Sequence, residues 1–257
     1  MTALAAGARV LVTRPQGQAE NLCELIRAQG GEPILFPVLA ISPVEPVIPY
    51  QTVIDAVNNS QWVIFVSANA VRFACADQAN DALPISDKVR VAALGKATAA
   101  ALKTIDWPVH LLPESGFNSE ALLAAESLQQ VKDQKVLIIR GQGGREKLAK
   151  MLVQRGAQVD YLEVYRRTKP QLDKQAVNQA LVENDLDVIV LTSAEALQNL
   201  LDMAGKNIAK VLNSIPLVVI SDRIKKMADK QGFSRILVAD EPDDTAIVKT
   251  IKALNGE

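Results

Sequence analysis

At 257 residues, with 28 basic against 29 acidic side chains and hydrophobic residues making up 49%, the chain is long enough for one large domain or two modest ones with well-filled cores. A near-neutral balance excludes a protein that grips nucleic acid by bulk positive charge. No apolar run is long enough to span a membrane, and the opening MTALAAGARV has neither the charged lead nor the apolar stretch of a signal peptide, so a cytoplasmic location is expected.

In chain order the first half alternates. A strand is predicted near 9–13, a helix near 17–29, a strand near 33–37 and a helix near 51–59. A strand near 62–66, a helix near 69–78, a strand near 89–94, a helix near 96–104, a strand near 109–112 and a helix near 119–130 follow. The strands are short runs of Val, Ile and Leu without polar alternation, as expected when helices cover both faces of a parallel sheet. Gly30 and Gly156 stand where a helix would end, and Ser67, Ser193 and Asn118 where one would begin.

The second half repeats the first. RVLVTRPQGQAENLCELIRAQGG from Arg9 aligns without a gap on KVLIIRGQGGREKLAKMLVQRGA from Lys135, placing Val10 on Val136, an offset of 136 − 10 = 126. The same offset places Ser67 on Ser193, Gly95 on Ser221 and Ser119 on Thr245. One offset held through four blocks marks a tandem duplication. The fold class expected is α/β, with two similar doubly wound parallel sheets of strand order 2-1-3-4-5. The second strand of each half runs on, as ILFPVLAIS and VDYLEVYRRT. Such segments can leave one sheet and bridge to a neighbour, with a cleft across the bridge.

The stretch VLIIRGQGGRE at 136–146 invites a nucleotide reading and fails it. The third glycine of a dinucleotide fingerprint would fall at Glu146, and no GK[ST] follows. Its partner turn, RPQGQAE, has Pro15 where Gly141 stands. Both turns share an arginine at the strand end, Arg14 or Arg140, a flexible turn and a helix start. They are either ordinary strand-to-helix turns or anion sites suited to carboxylates. Ser67-Ala68-Asn69 and Ser193-Ala194-Glu195 leave the same choice between helix caps and turns whose backbone N–H groups hold an anion. Cys23 and Cys75 form no CxxC pair and read as small apolar fillers, and His110, the single histidine, sits between prolines and offers little to a catalytic relay.

Taken together, VTRPQGQA, FVSANAV, ALGKATAAAL, LIIRGQGGRE with GAQVDYLEVYRR, VLTSAEAL and VADEPDDTAIVKTI resemble uroporphyrinogen-III synthases over essentially the whole chain. The resemblance implies an enzyme, a hydro-lyase of tetrapyrrole biosynthesis. It would cyclise linear hydroxymethylbilane to uroporphyrinogen III with loss of water and inversion of the last ring through a spiro intermediate. No metal and no organic cofactor is implied. Two domains are, one discontinuous at 1–36 plus 170–257 and one inserted at 44–162, joined by a two-stranded linker at 37–43 and 163–169.

For the site, the resemblance places Tyr165 as the residue assisting departure of the substrate hydroxyl, since a phenol is protonated at neutral pH. Arg14, Ser67, Asn69, Thr98, Arg145 and Ser193 are its substrate-binding positions, toward a flexible polycarboxylate. The second-half turn Ser221-Asp222-Arg223-Ile224 departs from the family, putting Ile224 opposite Thr98, and no role is carried to it. The implied partners are the bilane and, transiently, hydroxymethylbilane synthase, with the chain a monomer and no nucleic acid or membrane involved. The competing readings are a non-catalytic two-lobed binding protein for a small anionic ligand, a nucleotide-dependent enzyme, and an interaction module without a small ligand.

Overall fold

The computed structural model describes residues 7–76, 85–116 and 118–254, so the last two positions of the helix expected at 69–78 lie outside the described residues. The chain forms two compact units. One holds the described residues up to Ala40 and from Thr168 onward, the other runs from Ile41 to Arg167.

The first unit carries β1 (Arg9–Val12), α1 (Glu20–Ala28) and β2 (Glu32–Leu35). The second carries β3 (Ala40–Pro43), whose first residue is the last of the other unit, α2 (Tyr50–Asn58), β4 (Trp62–Phe65), α3 (Ala68–Ala74), β5 (Arg90–Ala93), α4 (Lys96–Lys103), α5 (Ser119–Ala124), β6 (Lys135–Gly141), α6 (Lys147–Gln154) and β7 (Gln158–Thr168). The chain then returns to the first unit for α7 (Lys174–Asn178), β8 (Val188–Leu191), α8 (Ala194–Leu212), β9 (Leu217–Val219), α9 (Asp222–Lys230), β10 (Ile236–Val238) and α10 (Asp244–Ala253).

The sheets are ordered β10-β9-β8-β1-β2 and β3-β7-β6-β4-β5. Read from β2, the first is the expected 2-1-3-4-5. In the second, Leu111 bridges Ala92 in parallel and adds the expected fifth position beyond β5. The registers obey the offset of 126 pair by pair. Val10 lies beside Val188 and Val136 beside Trp62, Val10 beside Pro33 and Val136 beside Val159, Ile189 beside Leu217 and Val63 beside Val91. Each sheet therefore takes two strands from one repeat and its remaining repeat strands from the other. The two halves have exchanged their first β-α-β segments within one chain.

Packing explains the apolar strands. In β8, Ile189 and Leu191 join the core formed with α8 and α9, while Val188 and Val190 join the core formed with α1 and α10. In β4, Val63 and Phe65 face α2, α3 and α4, and Trp62 and Ile64 face α5 and α6. Alternate residues thus feed opposite cores, and each fully buried Val, Ile or Leu contributes roughly 1.5–3 kcal/mol.

Three local differences from the sequence reading have simple causes. Helix α1 starts at Glu20 rather than 17 because Gly17 has φ +81° and Gln18 N–H closes a turn on Pro15 O. The predicted helix at 119–130 breaks at Ala125, which is extended, with a short 3₁₀ turn after it. ILFPVLAIS is two strands, not one. Phe36 and Val38 still donate to Val12 O and Thr13 O, but Pro37 between them has no N–H to continue the ladder. By contrast β7 runs unbroken for 11 residues.

Candidate active site

Ligands of such sheets lie beyond the carboxyl ends of the strands, and the second unit has a cavity of about 430 Å³ there. Its walls are Ser67 beyond the end of β4, Gly141 at the end of β6 with the loop that follows it to Arg145, the start of α5 and the later part of β7 with Tyr165 and Arg167. A larger depression, about 620 Å³, opens at the opposite end of the same strands beside Gln61, Lys88 and Arg90. It lacks any comparable convergence of a phenol, a hydroxyl and a glycine loop.

Tyr165 is the centre of the wall. Its residue surface is 3% exposed, and its ring stacks on Phe73 with centroids 5.7 Å apart and planes 26° apart. The Arg167 guanidinium carbon lies 5.9 Å from the ring centroid. The phenol oxygen lies 3.1 Å from Ser67 Oγ, and the same Oγ accepts the N–H of Ala70 at 3.1 Å, so Ser67 caps α3 and meets the phenol at once. The ring occupies the space a side chain at 141 would need. A Cβ on Gly141 would collide with Cε2 of the Tyr165 ring.

Arg140 also lines this cavity, but its side chain is only 7% exposed and its charge is already matched. Nη1 donates to Glu146 at 3.0 Å, Nε donates to Glu163 at 3.2 Å, and the guanidinium covers the Tyr161 ring at 4.2 Å. Tyr161 in turn donates to Glu146 at 2.7 Å. The Tyr161 hydroxyl and then Arg140 hold the Glu146 carboxyl below the usual carboxylate range, while burial and then Glu146 push the Tyr161 hydroxyl up to about 12. This cluster ties β7 to the start of α6 across the glycine loop. Its stabilising effect through Glu146, whose carboxyl is lowered on folding, is present above the unfolded carboxylate pKa and lost as pH falls through the lowered value. Arg140→Met is therefore expected to lower the urea midpoint at neutral pH, with the deficit shrinking as the medium is acidified, as urea melts at several pH values would show.

The other sequence-predicted positions fall in two groups. Arg145 is exposed on the glycine loop and lines the cavity with Ser67 and Tyr165. Asn69, half-buried in α3, and Thr98, 4% exposed in the first turn of α4, belong to the same unit but not to the cavity wall. Arg14 and Ser193 lie in the first unit. Arg14 Nη1 is 2.6 Å from Asp244 at the start of α10, and Ser193 accepts the Ala196 N–H at 3.0 Å as the cap of α8. His110 has a structural use, its Nδ1 accepting the Val91 N–H at 3.0 Å.

The comparisons with known proteins agree on one family. A family model described as uroporphyrinogen-III synthase HemD matches residues 20–249. The chain belongs to the uroporphyrinogen-III synthase family. It is 30% identical over 244 residues to the uroporphyrinogen-III synthase of Escherichia coli strain K12, covering 95% of this chain and 99% of that protein. The corresponding protein of Salmonella typhimurium is also 30% identical, with the same coverage. In fold it is similar to a mutant uroporphyrinogen III synthase from Thermus thermophilus, with a TM-score of 0.62 at 20% identity over 98% of this chain and 100% of that one. The Helicobacter pylori uroporphyrinogen-III synthetase gives 0.61 at 14% identity, again over 98% of this chain and 100% of that one. Family membership does not favour the non-catalytic binding protein weighed from sequence.

Three features of this synthase-family chain escape a sequence reading taken one motif at a time, namely Gly141, Phe73 and Arg167. The repeat offset offers a signal for all three. Tyr165 aligns with Leu39, Gly141 with Pro15, Phe73 with Asn199 and Arg167 with Ile41, so the phenol and its supports are confined to one copy. Among the described residues no group of three or more His, Cys, Asp and Glu side chains is placed to hold a metal ion, and no helix is long and apolar enough to cross a membrane. The Cys75 thiol is pushed up to about 12 by burial, and burial raises Cys23 as well, so neither is poised as a nucleophile.

Proposed function

We propose that this chain is itself a uroporphyrinogen-III synthase, a hydro-lyase that closes linear hydroxymethylbilane to uroporphyrinogen III with inversion of the last ring. The family match over residues 20–249 carries this reading. The cavity of the second unit supports it, because a phenol, a serine and two exposed arginines, Arg145 and Arg167, converge there.

The chemistry assigns the phenol and the arginines their parts. Electrons from the terminal pyrrole nitrogen expel the hydroxyl, the C–O bond breaks, and Tyr165 gives its proton to the leaving oxygen, releasing water. The cationic azafulvene left behind returns its N–H proton to the phenolate, so protons balance. Its electrophilic carbon then bonds to the substituted α-carbon of the last ring, giving the spiro compound. The bond from that α-carbon to its original methylene bridge breaks, and the methylene recloses on the ring's free α-carbon, which loses its proton to restore the pyrrole. Arg145 and Arg167 take substrate carboxylates at the cavity rim, where charge-assisted bonds to guanidinium are strongest. Asn69, Thr98 and Ser193 remain candidate binding positions. Arg14 serves a carboxylate only by exchanging Asp244 for it. Holding the bilane so that the inverting closure outruns the direct one is a matter of orientation.

The reading includes action without a cofactor, as a cytoplasmic monomer, on a bilane received from hydroxymethylbilane synthase. It also takes the passages at 37–43 and 163–169 as the two-stranded connection between domains at 1–36 with 170–257 and at 44–162. The test is direct. Purified protein is given hydroxymethylbilane and the product isomers are separated. Type III in excess over type I is expected, and type I alone, the product of unassisted closure, overturns the reading.

A further inference from the structure

We infer that Ser67 is a positioning residue for the Tyr165 proton rather than a ligand for a substrate carboxylate. This deepens the synthase reading and rests on it.

A serine hydroxyl has one hydrogen and two lone pairs, and a phenol hydroxyl likewise has one hydrogen to give. One Ser67 lone pair is taken by the Ala70 N–H at 3.1 Å. Among the described residues Ser67 Oγ also meets Tyr165 Oη at 3.1 Å, a contact in which either hydroxyl can donate. Once a leaving hydroxyl enters the cavity it offers an acceptor, and one arrangement satisfies every donor. Ala70 N–H gives to Ser67, Ser67 gives to Tyr165, and Tyr165 gives to the substrate oxygen. The reverse arrangement turns the phenol proton away from the cavity and leaves the serine hydrogen without its neighbour. Bonds in such a chain polarise one another, so the cap makes Ser67 a better donor and Tyr165 a better acid.

The other repeat acts as an internal control. Ser193 caps α8 by the same bond, from Ala196 N–H at 3.0 Å, yet the position of Tyr165 is Leu39 there. The positions of Phe73 and Gly141, which stack on the phenol and clear space for it, are Asn199 and Pro15. Capping needs the serine in both copies. Only in the copy with the phenol is the rest of the neighbourhood rebuilt to bring a hydroxyl to it.

The experiment is a double-mutant cycle on the full chain, measuring kcat and KM for type III formation in wild type, Ser67→Ala, Tyr165→Phe and the double variant, with Ser67→Thr as the conservative replacement. Ser67→Ala is expected to lower kcat about tenfold, the worth of one hydrogen bond to a reacting group, with KM within about twofold. Threonine, which keeps both hydroxyl and cap, restores most of the rate. In the Tyr165→Phe background the alanine costs nothing further in kcat, a result that cap loss alone does not produce. Equal losses in both backgrounds, or a raised KM with kcat unchanged, overturn the inference while leaving the synthase reading in place. No type III product from wild type removes both.

Discussion

Replacing Tyr165 with phenylalanine is expected to slow type III formation by about a hundredfold, the lower range for loss of a positioned general acid, while the fold stays intact. The ring is buried against Phe73 and phenylalanine keeps that stack, so the packing contribution survives. What is lost is one oxygen, 3.1 Å from Ser67 and at the cavity wall. Residual turnover is expected because holding the bilane in its inverting conformation does not depend on the phenol proton. Steady-state kinetics with isomer separation measure the first effect and a thermal melt the second. A variant with the wild-type rate would take Tyr165 out of the chemistry.

Gly141→Ala should strike the same group from behind. Gly141 is not among the glycines with positive φ, so its backbone accepts alanine, and the cost is contact alone. The added methyl would collide with Cε2 and Cζ of Tyr165. The buried ring has to swing away, carrying its hydroxyl off Ser67. A loss of about 1–3 kcal/mol in stability is expected from overpacking, with kcat falling at least as far as in Ser67→Ala. In a Tyr165→Leu background, which copies the Leu39 of the other repeat, the same alanine is expected to cost little stability and to restore no activity. Urea unfolding of the four chains checks the first half of that statement and the bilane assay the second. Equal destabilisation in both backgrounds would mean that the ring is not what excludes a side chain at 141.

Much of the architecture is legible in the residues. Apolar strands, Gly30 and Gly156 after helices and the caps at Ser67, Ser193 and Asn118 fix alternating elements, and the strand order follows from them. The exchange between halves is not legible from pattern alone. With a constant offset, Val10 matches Trp62 as well as it matches Val188, since those two positions are themselves repeat equivalents. Only the resemblance to a family implied it. At the site, strand-end arginines look the same whether they await a ligand or already have a partner. Arg14 finds Asp244, and Arg140 finds Glu146 and Glu163, and two of those three partners are far off in the chain. Gly141 looks like freedom for a turn, and its actual reason, a ring contributed by a residue on the neighbouring strand, appears only once β6 and β7 are paired.

The exchanged segments bear on how the molecule is made. Val10 pairs with Val188, a separation of 188 − 10 = 178 residues. As the chain leaves the ribosome, β1 and β2 emerge well before β8, the strand that β1 pairs with on its other side. The strands of the inserted unit all lie between Ala40 and Thr168, so all of them are made before β8. Contacts so distant in sequence slow folding and leave an apolar edge open to wrong pairing. A newborn chain of this kind therefore carries β1 and β2 unprotected while the whole of the inserted unit is being made.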